Sequence, residues 1–190
     1  MLYQILRPFG YLRIKNAGNK EFYDFLIPLI LTILSSVVIL FGNSWNLPEA
    51  LKDNKVPYTI FDIVKNLPGF YIAALAAIAT FHKESLDETI KNQLGISPTI
   101  KLRHIDQNGN ESNHDTKISR RVFLTFLFAF LTALSFVILC AYLVMHASNL
   151  FTVKSIFLLT GINISFLFLF WQLVTCTFFG LYYLADKLHH

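Results

Sequence analysis

Four long apolar blocks are the feature that most limits what this chain can fold into. An α-helix rises about 1.5 Å per residue, so roughly 20 apolar residues are needed to cross a hydrocarbon layer of about 30 Å. The blocks cover residues 25–42, 67–81, 122–146 and 156–184. Because the block at 67–81 is too short to cross alone, we expect residues 59–66 to extend it. The pattern predicts an all-α membrane protein with four transmembrane helices.

The composition agrees with this fold class. Hydrophobic residues make up 54% of the chain and charged residues 15%, whereas soluble domains carry about 25% charged residues. Together with the blocks, this balance excludes a disordered chain, a coiled coil, a disulfide-stapled secreted scaffold and a typical soluble enzyme. The first block is not a cleavable signal peptide, because it is long, begins far from Met1 and lacks a small-residue cleavage pattern.

The predicted spans are residues 25–42, 59–81, 122–146 and 156–185. In the second span, Asp62 and Lys65 lie three apart on one helix face, and Pro68 is expected to kink the helix rather than begin it. A re-entrant or interfacial position for residues 59–67 is an open alternative. The other segments are an N-terminal arm, an outer loop, a central polar loop, an outer turn and a tail: residues 1–24, 43–58, 82–121, 147–155 and 186–190. His189 and His190 are compatible with the remnant of an expression tag.

The distribution of Lys and Arg predicts the orientation of the spans, since basic residues are retained on the cytoplasmic side. The arm, the central loop and the tail hold twelve of them, and the opposite side holds four. We therefore expect both termini and the central loop to be cytoplasmic.

The central loop is the one extramembrane segment large enough to carry a recognition surface. Ser85 and Glu88 form a capping box, which predicts a short helix over Lys83–Leu94. The alternation over residues 99–106, followed by the turn pair Asn108-Gly109, predicts a strand or small hairpin. An isolated hairpin is marginal, so we expect a partner protein or a second copy of the chain to cover it. The candidate docking residues are charged: Lys101, Arg103, Asp106, Glu111 and Asp115.

The N-terminal arm interleaves apolar and basic residues, which suits the surface of an anionic membrane. Pro8 and Gly10 argue against one continuous amphipathic helix. A frayed lead-in to the first span is the alternative.

Inside the spans, the sequence gives two packing signals. Small residues recur at four-residue intervals in the second span, which lets another helix approach closely; they are Gly69, Ala73 and Ala77, with Ala76 beside them. Asn163 and Gln172 in the fourth span need hydrogen-bond partners, either on neighbouring helices or in a polar pore lining. The many Phe residues of the third and fourth spans are interpreted as bulk facing lipid or another subunit.

Chemistry-bearing patterns are scarce. The four apolar blocks contain no Asp, Glu, Lys or Arg, which disfavours ion-coupled transport. Cys140 and Cys176 have no CxxC spacing and are interpreted as small packing residues. His104 and His114, near Asp106, are interpreted as solvated loop residues rather than metal ligands. We therefore predict no catalytic residues, no metal, no cofactor and no enzymatic activity.

The net charge of +4 does not indicate a nucleic-acid surface. The central loop carries seven basic and six acidic residues, and a surface of mixed sign suits a protein partner better than a phosphate backbone. We expect no direct binding of nucleic acid.

The layout as a whole resembles the membrane subunit of the Kiwa anti-phage defence system. The likeness rests on the short basic arm, the four spans, the charged middle loop closed by Ile-Ser-Arg-Arg at 118–121, and the Phe-rich VFLTFLFAFLTALSFVIL that starts at Val122. It covers nearly the whole chain and includes no catalytic motif. It implies a homo-oligomer of the bacterial inner membrane, with a tetramer favoured, that senses envelope disturbance during infection and works with a cytosolic DNA-binding partner.

The sequence therefore favours a sensor and scaffold in which the loop between the second and third spans transmits a change in helix packing to a partner. The alternative is a small oligomeric pore that depolarises the membrane, with Asn163, Gln172 and Thr175 lining water. A membrane enzyme acting on lipids ranks last, because no acid, base or nucleophile set is present.

Overall fold

The fold is described from a computed structural model of the 190-residue chain. It describes residues 4, 6–15, 20–42, 55–80, 87–90, 97–105, 111–148 and 155–188. Of residues 101–105, 111–115 and 185–188 it describes the backbone alone. Four predicted features lie outside the described residues: Asp106, the turn at Asn108-Gly109, most of both outer loops, and His189 with His190.

Helices make up most of the described chain. The five α-helices are α1 (Ile27–Gly42), α2 (Lys55–Val64), α3 (Leu67–Thr80), α4 (Arg120–Ala147) and α5 (Ile156–Leu188). Four helical stretches are long and apolar enough to cross a membrane: Phe22–Gly42, Lys55–Thr80, Arg120–Ala147 and Ile156–Leu184. This agrees with the four predicted spans and is typical of a multi-pass membrane protein.

The first helical stretch begins earlier than the sequence predicts. Residues 20 and 21 are already helical, and Phe22–Leu26 form a π-helical turn that leads into α1, in which the Ile27 amide donates to the Phe22 carbonyl. The boundary predicted after Asp24 is therefore wrong, because the Asp24 side chain is 0% exposed and lies within the helix. A carboxylate can occupy this position because other side chains of the chain bind it, as described below.

The second stretch is a broken helix. It starts at Lys55 rather than residue 59, with Pro57 in the first turn, where a missing amide hydrogen costs little. It is interrupted by a turn at residues 65–66, and Pro68 then stands second in α3. The interruption lies just before Pro68, where proline removes the amide that would bond back to residue 64. Asp62 and Lys65, which the sequence places three apart on one helix face, form an ion pair at 2.5 Å.

Packing joins the helices into one bundle. α5 contacts both α1 and α4, α4 also contacts α3, and α2 crosses α4 and α5. Gly180 permits the close approach of α5 to α4, since a Cβ at this position would lie 3.1 Å from Leu127 Cδ2. The closely packed face of α4 therefore meets other parts of the same chain.

The phenylalanines do not all face outward as predicted. Four of them are buried within the protomer, and only some are well exposed. Phe128 is 0% exposed and Phe136 is 49% exposed, although both lie on α4. The interpretation of this set as lipid-facing or intersubunit bulk is wrong for the buried members, because their helix faces meet neighbouring elements; they are Phe123, Phe128, Phe130 and Phe166.

A hydrogen bond links α3 to α5. The Tyr71 and Thr177 hydroxyl oxygens are 2.6 Å apart, and Thr177 uses its one hydroxyl proton to donate to the Leu173 carbonyl. Tyr71 is therefore the donor. Since hydrogen bonds between membrane helices contribute about 0.6 kcal/mol on average, we expect Tyr71→Phe to reduce the free energy of unfolding by about that amount. Thermal unfolding in mild detergent would measure it.

Tyr58→Phe is the matched control, because Tyr58 is 57% exposed. A loss as large in Tyr58→Phe as in Tyr71→Phe would contradict the role assigned to the buried hydroxyl.

The predicted hairpin is present in the central loop. Strands β1 (Thr99–Ile105) and β2 (Glu111–Lys117) pair antiparallel, from Thr99 opposite Lys117 to Ile105 opposite Glu111. The short helix predicted over Lys83–Leu94 is not formed at residues 88–90, where Thr89 makes a β-bridge to Ser119. Backbone pairing with the chain before α4 replaces the local helical preference of this segment; residues 83–86 and 91–94 lie outside the described residues.

Candidate functional site

A buried charged cluster lies at the start of the first helical stretch. The Asp24 carboxylate accepts hydrogen bonds from the Tyr11 hydroxyl at 3.0 Å and from the Lys20 ammonium at 2.5 Å. The Cys176 thiol of α5 lies 3.5 Å from the same carboxylate oxygen as Tyr11. Lys20 is only 7% exposed. These four residues, Tyr11, Lys20, Asp24 and Cys176, are called the Asp24 cluster below.

The N-terminal arm supplies Tyr11 from a short 3-10 helix, Arg7–Arg13, that packs on α4. The Tyr11 ring stacks on Phe130 with centroids 5.2 Å apart, and the Lys20 ammonium lies 4.2 Å from the Tyr11 ring centroid. Burial, reinforced by the Asp24 carboxylate, raises the pKa of Tyr11 far above its ordinary value. The phenol therefore stays protonated and donates to Asp24.

This docking differs from both sequence interpretations of the arm. Tyr11 and Ile14 are buried in the protein, whereas Arg7, Arg13 and Lys15 are exposed. Gly10 permits close approach to α4, since a Cβ there would lie 3.3 Å from Phe126 Cε1. The described part of the arm is thus a folded element: Tyr11 and Ile14 face the helix bundle, three basic side chains (Arg7, Arg13 and Lys15) remain accessible, and Lys20 is buried in the Asp24 cluster.

The last helix completes the cluster from the other side. The Gln172 side-chain amide donates to the Asp24 main-chain carbonyl at 3.0 Å, and the Thr175 hydroxyl lies 3.3 Å from the Tyr23 carbonyl. The Asn163 side chain is 8% exposed and donates to Leu159 of its own helix. The structure therefore brings Gln172 to the cluster, and it places Asn163 elsewhere on α5.

A buried ion pair of this kind is costly to assemble. Desolvating two charges costs several kcal/mol per ion even after the protein relaxes, and the pair persists only when further hydrogen bonds satisfy it. Ionisable groups inside membrane spans commonly mark functional positions. The four apolar blocks themselves contain no Asp, Glu, Lys or Arg. The helical stretches extend beyond those blocks, so that Asp24 lies within Phe22–Gly42 and Asp62 with Lys65 within Lys55–Thr80.

Sequence reasoning missed the Asp24 cluster because it took Asp24 as the polar boundary of the first span. One local signal was available: Lys20 and Asp24 are four residues apart immediately before an apolar run, a spacing that pairs opposite charges on a helix. The participation of Tyr11 and Cys176 depends on tertiary contacts that no local pattern reveals.

The base of the hairpin is attached to two other segments, the arm and residues 87–90, by main-chain hydrogen bonds. Lys15 and Thr99 exchange a pair of them at 3.1 and 3.2 Å. The Ile118 amide donates to the Pro98 carbonyl at 3.1 Å, and the Ile90 amide donates to the Ile118 carbonyl at 3.2 Å. We call this set of pairings the hairpin base. Its contacts link the arm, the central loop and the start of α4.

Ion pairs reinforce the hairpin base beside the start of α4. The Arg121 guanidinium contacts both carboxylate oxygens of Asp87, at 2.7 and 3.0 Å, and also donates to the Ile78 carbonyl near the end of α3. Arg120 pairs with Glu88 at 3.2 Å. Ser119 caps α4 by accepting from the Val122 amide at 3.4 Å. The loop is thereby joined to the ends of α3 and α4 together.

Four of the five predicted docking residues share one face of the hairpin in register, and Asp106 lies outside the described residues. Lys101 lies opposite Asp115, and Arg103 and Glu111 occupy the same alternating set of positions. Ile100 belongs to the other set and is 6% exposed. Alternation along the strands therefore separates these charged positions from the buried one.

The predicted small-residue positions of α3 lie on the outside of the protomer. Gly69, Ala73, Ala76 and Ala77 are all exposed, and a Cβ built on Gly69 meets nothing within 4 Å. Within the described residues, this face does not pack against another helix of the chain in the way the spacing would allow.

The Asp24 carboxylate joins three parts of the chain through its hydrogen bonds. The Asp24 carboxylate is occupied by three donors of the chain itself, so its oxygens are engaged in holding the arm, the first helix and α5 together. Across the described ranges, no group of three or more His, Cys, Asp or Glu side chains is placed to hold a metal ion.

Comparisons with protein-family models, with curated proteins and with solved structures give no match for this chain. The geometry described above is therefore the basis for its functional interpretation.

Proposed function

We propose that this protein is a membrane-embedded sensor and scaffold of a bacterial anti-phage defence system. It forms a homo-oligomer in the inner membrane, responds to disturbance of the envelope during infection, and recruits or controls a cytosolic DNA-binding partner through the hairpin. The observation that carries the proposal is the attachment of the hairpin base to the arm, to the central loop and to α4. The sequence resemblance supports the assignment to defence.

The contacts provide a route from the membrane helices to the hairpin. The Asp24 cluster ties α5 and the first helix to Tyr11 of the arm, and the arm bonds to Thr99 through Lys15. A change in the relative tilt of α1 and α5 would therefore alter the position of the arm, and the hairpin would move with it. For this movement to act as a switch, the two arrangements must differ in affinity for the partner.

The outer face of α3 supports the homo-oligomeric part of the proposal. Small residues at four-residue spacing allow two helices to approach closely in a membrane, and the exposed Gly69, Ala73 and Ala77 follow that spacing. A tetramer is the state that the resemblance favours, with this face at the contact between subunits.

The pore alternative has weaker support. Gln172 donates to the Asp24 main-chain carbonyl in the first helical stretch, whereas Thr175 and Asn163 donate to carbonyls within α5. Each of these side chains donates a hydrogen bond within the protein, and Asn163 and Gln172 are 8% and 4% exposed, so the arrangement gives little support to a water-filled path.

A hairpin replacement tests the proposal. Residues 102–114 are exchanged for a Gly/Ser linker of equal length, which retains Thr99, Ile100 and Ile118 and so preserves the hairpin base. Cells expressing the wild-type protein with its genomic neighbours are challenged with phage, and plaque formation is measured. We expect protection with the wild type and loss of nearly all protection with the linker variant, because the variant lacks Arg103, Asp106 and Glu111 and the strand pairing that positions the docking surface.

The matched control replaces the exposed pair Asp62 and Lys65 by Asn and Gln, which lies outside the hairpin and should leave protection unchanged. Mass measurement in mild detergent should give the same oligomer for all three proteins. Full protection by the linker variant, or absence of protection by the wild type against every phage tested, would refute the proposal.

A further inference from the structure

An apolar groove of about 250 Å³ lies among three of the membrane helices. It is lined by Ile39 of α1, by one face of α2 and by residues of α5. Lys55, the first residue of α2, stands at one end of it. The α2 and α5 residues that line the groove are Val56, Thr59, Ile60, Ile63, Leu167, Phe170 and Trp171.

The surface of the groove is formed almost entirely by carbon atoms. The Trp171 indole N–H donates to the Ser35 hydroxyl at 3.1 Å, and the Thr59 hydroxyl donates to the Lys55 carbonyl at 2.8 Å. Both polar side chains along its length are thus bonded to the protein. Water requires two to four polar partners in such a site, so water does not suit it. A hydrocarbon chain suits the groove, and the bilayer supplies such chains at the depth of these spans.

Lys55 adds a charge preference at the end of the groove. Its side chain is exposed, and among the described residues no carboxylate lies within ion-pair distance of it. The positive end of the α2 dipole is at the same place, which favours an anion there. From Lys55 to Ile63 the helix rises about 12 Å, enough to follow much of one acyl chain.

We infer that this groove binds one acyl chain of an anionic phospholipid, with the lipid phosphate against Lys55. The site is independent of the hairpin and of the proposed defence role, since it lies between α1, α2 and α5. Its ligand differs from bulk lipid in being selected by headgroup charge.

Lipid titration followed by native mass spectrometry tests the site on the full chain in mild detergent. The probes are dioleoyl phosphatidylglycerol and dioleoyl phosphatidylcholine, which share acyl chains and differ in headgroup charge. A basic residue near an anionic lipid surface contributes enough for about a fivefold preference, so we expect phosphatidylglycerol to bind about fivefold more tightly. Lys55→Gln should abolish this preference, while Lys65→Gln, its matched control, should retain it.

The binding of the acyl chain in the groove is tested separately from the headgroup preference. Thr59→Phe fills the groove and should weaken both dioleoyl lipids, and dihexanoyl phosphatidylglycerol should bind the wild type more weakly than the dioleoyl form. The short-chain comparison needs no variant, so it is independent of any folding defect. Equal affinity for the two headgroups, the same loss in Lys65→Gln as in Lys55→Gln, or equal binding of short and long chains would each overturn the assignment.

Discussion

Asp24→Ala is expected to lower the free energy of unfolding by about 3 to 5 kcal/mol, because it leaves the Lys20 ammonium buried without its counter-ion. Lys20 is only 7% exposed and cannot return to water without movement of the arm. Thermal unfolding in mild detergent would show the loss. Limited trypsin digestion would report release of the arm as faster cleavage after Arg13 and Lys15.

Two further variants test whether the loss of stability in Asp24→Ala comes from breaking the buried ion pair or from the loss of any one charge. Asp62→Ala breaks an exposed Asp–Lys pair with a similar separation along the chain, and its effect should fall within experimental error. Asp24→Leu combined with Lys20→Met removes both buried charges and should recover most of the stability. If Asp24→Ala is no more destabilising than Asp62→Ala, the cluster does not hold the arm in place.

Phe128→Ala is the second change for which we expect a large effect. The side chain is 0% exposed and lies beside Tyr71, with ring centroids 6.2 Å apart. Its removal leaves a cavity at the α3–α4 contact, and truncations of this kind cost about 3 kcal/mol or more. The cost in a membrane comes from lost packing, which is measurable as a lower apparent melting temperature in detergent.

Phe136→Ala on the same helix is the control, since Phe136 is 49% exposed. Its apparent melting temperature should stay near that of the wild type. Equal effects of the two truncations would contradict the burial pattern on α4 and restore the interpretation of the phenylalanines as outward-facing bulk.

The spans were predictable because their signal is local. A run of apolar residues long enough to cross a bilayer is visible without any neighbour, and the hairpin follows from alternation and a turn pair. The faces of the helices were not predictable in the same way. Phe128 and Phe136 have the same hydropathy, and Phe128 is buried because its side chain lies against Tyr71 of α3 and Gly180 of α5.

The candidate site was harder to predict than the fold. Lys20 and Asp24 are close in sequence, but Cys176 is 152 residues from Asp24. The pairing of Lys15 with Thr99 joins the arm to the central loop. Such contacts arise from the arrangement of the helices. The short helix predicted near Ser85 failed at residues 88–90 for a related reason, since backbone pairing with residues 118–120 competes with a local capping signal.

The hairpin base gives the proposed partner surface a defined position. Without its pairings, a two-stranded hairpin would be marginally stable on its own. Ile100 and Ile118 are buried at its foot, and Arg120 and Arg121 bind the preceding loop segment. The charged positions at 101, 103, 111 and 115 are thus carried by a strand pair that is anchored to the helix bundle.

The composition of the Asp24 cluster also bears on the order in which the protein assembles. A ribosome delivers the chain from its N-terminus, so Tyr11, Lys20 and Asp24 enter the membrane environment long before α5 has been synthesised. Lys20 and Asp24 can neutralise each other at once, because they lie one helical turn apart. Cys176 and Gln172 arrive with the last helix, and only then is the carboxylate fully enclosed. Closure of the cluster therefore requires α5, so a product truncated before α5 would lack the finished arrangement of the arm.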